Sequence, residues 1–160
     1  MTVSNDITTV ELLAGKKTTG EDVREAVTVK RVTKHLFEVT HSPGLVLGIA
    51  AGDVIKLHTA DTGSFDVVQR GQNLCIQIFK GEPFSKSQRD QFARRMQEIQ
   101  GRLDAESANE LVFTVPVRLG FAAVESLLNS LVSDCQDCRW YFGNVYDPTD
   151  GVTPLSWWEL

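Results

Sequence analysis

The sequence has few cysteines and lacks the segments that direct a chain to or across a membrane. Its three cysteines are an odd number for a disulfide framework, which favours a reducing compartment. No apolar run approaches the roughly 20 residues that a membrane-spanning helix needs. The first residues also lack the basic start and the apolar stretch of a signal peptide. We therefore expect a cytoplasmic protein that does not act at a membrane.

Motifs that fix an enzymatic activity are also missing. The chain has no G-x-S-x-G nucleophile turn, no phosphate-binding Walker loop, no G-x-G-x-x-G and no H-E-x-x-H. One C-x-x-C is present, at Cys135 and Cys138, but the surrounding pattern predicts that it ends a helix, whereas the redox motif begins one. Only Cys75 and three histidines remain as further zinc ligands, and none of them forms a second close pair. We expect neither a cofactor nor a bound metal.

Acidic side chains are concentrated in the last third of the chain. The whole sequence has a net charge of −5, and residues 103–160 carry nine acidic and two basic side chains, a net −7. Residues 81–102 are mildly basic. An acidic surface repels phosphate backbones and attracts basic partners, so we expect a basic protein partner and no nucleic acid. The alternative is that the acidic residues serve only to keep the protein in solution.

The pattern of apolar residues predicts an α+β protein built from two units. Residues 1–22 are polar and predict a partly ordered N-terminal arm, in which residues 10–13 could be a short strand or a helical turn. Short apolar segments punctuated by glycine predict a small, bent β-sheet or half-barrel over about 23–72. A ferredoxin-like unit is predicted over 73–147, and residues 148–160 form a C-terminal tail.

The second unit is predicted from the order of its elements. Asn73–Lys80 is an apolar, β-rich strand, and Ser85 with Gln88 forms a capping box that begins a helix. Two strands, a second helix and a closing aromatic strand follow, up to about residue 146. This β-α-β-β-α-β order is the split βαβ arrangement of ferredoxin-like domains.

A protein-binding surface is predicted where acidic and aromatic residues are close in sequence. Acidic side chains speed association with a basic partner, and aromatic anchors slow dissociation. Trp157 and Trp158 are adjacent and cannot both face one side of a strand, and the alternative for the pair is that they cover the core. The predicted partner-binding residues are Asp134, Asp137, Trp140, Tyr141, Asp147, Asp150 and Trp157.

Histidines in the first unit provide an alternative, enzymatic hypothesis. His41, His58 and Asp53 are residue types that make acid–base sites, and a small hydrolase or ligand-binding enzyme would use them together. No spacing pattern ties these residues to one another, and histidines at strand ends are usually surface residues. A third hypothesis is a homodimer that forms through an exposed sheet face.

The order of these features resembles a bacterial family of domains of unknown function. Leu36–Val39 is followed by an apolar turn and then by Gly48–Ile55, which is similar to the turn-Leu-Gly-Asp-Val-Val centre of that family. A strand that ends in Val115 and Pro116 and a last aromatic strand follow in the same order, so the resemblance spans residues 23–147. It implies a small β unit before a ferredoxin-like unit, and it implies no activity.

Small acidic bacterial proteins of this kind are similar, in size and charge alone, to the immunity proteins of toxin–immunity pairs. Our main hypothesis is therefore a non-enzymatic immunity protein that neutralises a basic toxin domain by occluding its active site.

Overall fold

The computed structural model describes residues 6–59 and 61–159, and these residues form two antiparallel sheets and two α-helices. This arrangement confirms the predicted α+β class. The strands are β1 (Ile7–Lys16), β2 (Asp22–Arg31), β3 (Leu36–Val39), β4 (Val54–Leu57), β5 (Phe65–Gln69), β6 (Asn73–Lys80), β7 (Arg102–Glu106), β8 (Glu110–Pro116) and β9 (Cys138–Phe142). The helices are α1 (Lys86–Gln97) and α2 (Phe121–Ser133). No helix in this part of the chain is long and apolar enough to cross a membrane.

The first sheet is a meander in which β1 to β5 pair in chain order. The turn before β5 returns to the first strand, where the Leu13 N–H donates to the Gly63 carbonyl oxygen at 2.9 Å. Gly63 has φ +69° and packs against the backbone of β1, so only a residue without a Cβ fits there. The sheet is therefore strongly curved, as predicted. Its core contains Leu12, Val27, Val29, Phe37, Val39, Val46, Ile49 and Ile55.

The N-terminal segment is a strand and not the predicted arm. β1 pairs with β2 along its whole length, and Leu12 is completely buried in the core of the first sheet. Val10 and Ala14 pack against the same core, so alternate residues of this polar segment face inward. The first five residues of the predicted arm lie outside the described residues.

The second sheet has the strand order β7-β8-β6-β9, with every neighbouring pair antiparallel. Numbered within the unit, this order is second, third, first and fourth, which is the predicted ferredoxin-like topology. The capping box at the start of α1 is formed, because the Ser85 hydroxyl accepts from the Gln88 N–H and the Gln88 side chain accepts from the Ser85 N–H. Phe92 and Met96 are the buried residues of α1 and join the core of this sheet.

A loop of the first unit, residues 40–53, covers part of the sheet face opposite the helices. The Ser42 hydroxyl lies 2.6 Å from the Thr114 hydroxyl, and the Ser42 N–H donates to Asp104 at 2.7 Å. The Gln77 side-chain N–H donates to the Pro43 carbonyl oxygen at 3.1 Å. All of these groups are buried or partly buried, so the two units share a polar seam and pack as one body.

The C-terminal tail folds back over the second core. Tyr146 and Pro154 form an antiparallel bridge, and the chain then enters a short 3-10 helix at Trp157–Glu159. Trp157 is 7% exposed, and its indole N–H donates to the Asn144 carbonyl oxygen at 2.8 Å. The tail is therefore part of the folded core, because a large aromatic side chain and its donor are both satisfied there.

Candidate functional site

The second sheet has an aromatic and acidic surface beside the loop that covers the rest of its face. Tyr141 is 40% exposed, and its ring meets the edge of Phe79 with centroids 5.5 Å apart. Glu110 is paired with Phe79 in the register of β8 and β6, so it lies on the same face. Leu45 of the covering loop is 55% exposed. We call the surface formed by Glu25, Leu45, Phe79, Glu110 and Tyr141 the Tyr141 face.

Glu25 is fully supplied with hydrogen-bond donors by the covering loop. Its carboxylate accepts from the backbone N–H groups of Gly44, Leu45 and Val46, each at 2.9 Å. Three backbone N–H groups that converge on one carboxylate hold it in a fixed position. Glu25 therefore anchors the loop on β2 and places a negative charge at the edge of the Tyr141 face.

Glu110 is in the opposite situation. Its carboxylate is half-buried and packs directly on Gly44, where a Cβ would collide with Oε1. Burial raises the pKa of Glu110, and the nearby charge of Glu25 raises it further. None of the residues that the structure describes gives the Glu110 side chain a hydrogen bond or an ion pair. Two carboxylates thus lie close together without a cation between them.

A cation on the same face of the sheet, Arg139, does not form an ion pair with either carboxylate. Arg139 lies on the same face, but it pairs with Phe79 from the other side, so β6 separates it from Glu110. The backbones of Arg139 and Glu110 are therefore two strand spacings apart, or about 9.6 Å. Arg139 is exposed and forms no ion pair within the described part of the chain. The negative charge of the Tyr141 face is therefore available to a cation from outside the chain.

The chemistry of the Tyr141 face matches a donor-rich, positively charged group. Ammonium and guanidinium groups carry several N–H donors, and they bind both carboxylates and aromatic faces. The side-chain oxygen of Gln77, which faces Tyr141 in the strand register, is buried and has no donor among the residues described. This part of the sheet thus has more acceptors than donors.

The acidic residues predicted to bind a partner do not form one surface. Asp134 and Asp137 precede β9, whereas Asp147 and Asp150 follow it, and a strand of five residues separates the pairs by about 16 Å. Asp137 accepts from the Gly81 N–H at 3.2 Å.

Asp147 and Asp150 stabilise the turns of their own loop. Asp147 accepts from the Thr149 N–H and hydroxyl, and Asp150 accepts from Val152 and Thr153. The hydrogen bonds from Thr153 are the main cause that lowers the pKa of Asp150. Both carboxylates are therefore engaged in local structure, as aspartate often is in turns.

The three predicted aromatic anchors are also separated. Trp140 and Tyr141 are consecutive strand residues and point to opposite faces. Trp140 lies on the helix side, where its indole N–H donates to Asn129 at 2.9 Å. The prediction for Trp157 is wrong, because this residue is buried in the core and the alternative role of covering the core applies. Of the predicted set, Tyr141 alone belongs to the Tyr141 face.

The residues of the enzymatic hypothesis are not brought together. Val39 donates to the carbonyl oxygen of Asp53 at one end of β3, and Leu57, beside His58, donates to that of His35 at the other end. The four steps along the strand from residue 35 to residue 39 span about 13 Å, so His58 and Asp53 lie at opposite ends of the β3–β4 pair. His41 follows β3 at the Asp53 end, and its ring lies 2.9 Å from the Thr40 hydroxyl.

Each of these residues already has a local partner. His58 is exposed and lies 2.9 Å from the carboxylate of Asp66. Asp53 is 1% exposed and accepts from Arg70 at 3.2 Å and from the N–H groups of Ala50 and Gly71. Burial raises the pKa of Asp53 against the effect of these three donors. Asp53 therefore ties the covering loop to the strand connection at Gly71, and its role is structural.

Metal and redox chemistry find little support in the part of the chain that the structure describes. It contains no group of three or more His, Cys, Asp or Glu that could hold a metal ion. Cys135 and Cys138 are free thiols. Burial, with a hydrogen bond to Cys135, raises the pKa of Cys138 to about 12, which disfavours the reactive thiolate.

Glu25 and Glu110 were missed by the sequence analysis. Each is a single glutamate in a strand, and nothing in the local pattern distinguishes it from other surface glutamates. The two residues meet only because the covering loop brings β2 against the second sheet. Glu110 and Tyr141 lie in the acidic last third of the chain, but Glu25 does not, so the distribution of charge along the sequence did not predict this grouping.

Comparisons with known proteins agree with this fold. A solved structure of a hypothetical protein from Neisseria gonorrhoeae is similar, with a TM-score of 0.65 and 12% identity over 86% of this chain and 94% of that chain. A comparison with curated proteins finds no significant match. The family model of a domain of unknown function, DUF4265, matches residues 25–136, from β2 to just beyond α2. Because this match spans more than half of the sequence, the chain belongs to the DUF4265 family.

Proposed function

We propose that this chain is a non-enzymatic protein-binding protein whose Tyr141 face accepts a basic side chain of another protein. The observation that carries the proposal is the half-buried Glu110 carboxylate, which lies beside Glu25 and has no cation within the described residues. A lysine or arginine of a partner would pair with both carboxylates at once. Such charge-assisted pairs are strong when they are partly removed from water.

The apolar members of the Tyr141 face would make this contact more than electrostatic. Tyr141 and Leu45 are both exposed, and their burial under a partner would exclude water around the ion pair. The acidic charge would steer a basic partner toward the face, and the aromatic rings would slow its release. In its most concrete form, the partner is a basic toxin domain whose active site is covered in the cytoplasm.

A symmetric homodimer through the Tyr141 face is the less favourable alternative. A two-fold interface brings the same patch of both copies together, so the carboxylates of one copy would face those of the other. Like charges that meet in an interface cost free energy. A different, basic partner is therefore the better occupant.

The experiment is a pull-down from lysate of the source organism with three purified baits, at low and at high salt. The baits are the parent chain, Glu110→Gln and Glu125→Gln. Glu125 is exposed on α2, on the other side of the sheet, so its substitution removes the same charge at a different place. We expect a stoichiometric basic partner on the parent and Glu125→Gln baits that is depleted on Glu110→Gln and at high salt.

Two results would count against the proposal. Equal capture of the partner by all three baits would show that the Tyr141 face is not the binding surface. Absence of any specific partner at either salt concentration would favour the homodimer hypothesis. Light scattering of the purified chain detects a homodimer.

A further inference from the structure

A second surface feature, unrelated to the Tyr141 face, lies where the two units and the tail meet. It is a cavity of about 690 Å³, within the roughly 300–1,000 Å³ that is typical of small-molecule sites. Its walls come from the connection that precedes β6, from the end of β8, from the start of α2 and from the tail. The main lining residues are Gln72, Asn73, Val117, Arg118, Phe121 and Trp158. The cavity is therefore formed by segments that are distant in sequence.

The walls of this cavity are held in place by specific contacts. The rings of Phe121 and Trp158 meet edge to face with centroids 5.0 Å apart, and Trp158 meets Trp157 in the same way at 5.3 Å. Gln72 has φ +63°, a backbone conformation that residues other than glycine rarely adopt. The Val117 N–H holds this turn in place by donating to the Gln72 carbonyl oxygen at 3.0 Å. The aromatic wall and the opposite turn are thus preformed.

The cavity contains a cationic side chain and an indole N–H that pair with no acidic group among the described residues. Arg118 donates to the side-chain oxygen of Gln100 but pairs with no carboxylate in the described part of the chain. The indole N–H of Trp158 has no acceptor among those residues either, although a tryptophan N–H at a partly buried position usually has one. The other lining residues are uncharged. The cavity is locally positive in a chain of net charge −5.

We propose that this cavity binds a small, flat aromatic molecule that carries a carboxylate. The ring of the ligand packs against Trp158 and Phe121, which offer an apolar aromatic wall. The carboxylate pairs with the guanidinium of Arg118, whose planar set of donors matches it. The indole N–H of Trp158 donates to a ligand oxygen. This site is independent of the protein-binding function proposed for the Tyr141 face.

The test is a titration of the full chain with naphthoate, followed by the indole N–H resonances in a nitrogen–proton NMR spectrum. Substitution of Trp158 by phenylalanine assigns the resonance of that residue. We expect naphthoate to shift the Trp158 resonance, and we expect its neutral counterpart naphthylmethanol to bind about tenfold more weakly.

Two variants with the same change of charge complete the test. Arg118→Gln is expected to weaken naphthoate binding about tenfold, whereas Arg139→Gln, an exposed arginine on β9, is expected to leave it unchanged. The parent-like spectrum of each variant verifies that it is folded. The proposal is overturned if naphthoate leaves the Trp158 resonance unmoved, if the acid and the alcohol bind equally, or if both variants weaken binding alike.

Discussion

Carboxylates with different surroundings have different roles in this protein. Asp53 is buried with three donors and joins the covering loop to the second unit. Glu25 accepts from three backbone N–H groups and fixes the same loop from the other side. Glu110 is also partly buried, but none of the described residues donates a hydrogen bond to its side chain. Because a charge that is left partly desolvated and unpaired costs stability, Glu110 is the residue where a binding role is most plausible on physical grounds.

Glu110→Gln is expected to stabilise the free protein at neutral pH. The pKa of Glu110 is raised in the folded state, so the folded chain binds a proton more tightly than the unfolded chain does. The free energy of unfolding of the parent therefore falls as pH rises from the ordinary value of 4.5 through the raised pKa. Glutamine does not titrate, so Glu110→Gln does not show this fall. The difference in unfolding free energy between the variant and the parent therefore grows across that interval and is constant above it.

Urea unfolding of both chains across this pH range measures the effect. Glu125→Gln on the exposed side of α2 is the control and should follow the parent. An advantage of Glu110→Gln that shrinks as pH rises would contradict the charge environment described for Glu110.

Asp53→Asn is expected to destabilise the protein by about 2–4 kcal/mol. Both oxygens of the Asp53 carboxylate accept hydrogen bonds, one from Gly71 and the other from Ala50 and Arg70. Asparagine has one acceptor oxygen, so at least one buried N–H group loses its partner. Asp66→Asn, which changes an exposed contact with the His58 ring, should change stability by less than about 0.5 kcal/mol. Denaturant unfolding compares the two, and equal costs would contradict the structural role of Asp53.

At the scale of elements, the sequence predicted the strands and helices that are determined by their own residues and not by distant contacts. The boundaries of β6 agree with the apolar run at Asn73–Lys80, and the capping box at Ser85 places the start of α1 correctly. For β1 the sequence predicted only a possible short strand or helical turn at residues 10–13. An edge strand with one solvent-facing side is mostly polar, so its inward residues Val10, Leu12 and Ala14 form a weak signal. The role of Trp157 depends on contacts with Asn144, which a local pattern does not contain.

Trp157→Ala is expected to cost about 3–5 kcal/mol of unfolding free energy. The substitution leaves a cavity in the second core and removes the indole donor of the Asn144 carbonyl oxygen. Val152→Ala in the same tail is the matched control, because Val152 is 72% exposed, and it should cost less than about 0.5 kcal/mol. Thermal or denaturant unfolding of the two variants is sufficient, and a small cost for Trp157→Ala would mean that the tail is not part of the core.

At the scale of the whole molecule, the sequence predicted the two units and their order, but not the site between them. The Tyr141 face combines β2, the covering loop, β6, β8 and β9, so its residues are distant in sequence. Tyr141 was predicted because it is an aromatic residue close in sequence to acidic residues. The sequence around Glu25 and around Glu110 contains no pattern that predicts a binding role. The acidic tail residues Asp147 and Asp150 are instead occupied in turns. The distribution of charge along the chain therefore did not locate the surface proposed here, and the expected basic partner stays a prediction.

The most direct measurement is the affinity of the captured partner for the parent chain, Glu110→Gln and Glu125→Gln, by calorimetric titration. The account predicts that Glu110→Gln weakens binding at least about tenfold, because the partner's cation loses one of its two carboxylates. Glu125→Gln should leave the affinity within about twofold of the parent. If Glu110→Gln binds as tightly as the parent, the Tyr141 face is not the site that recognises the partner.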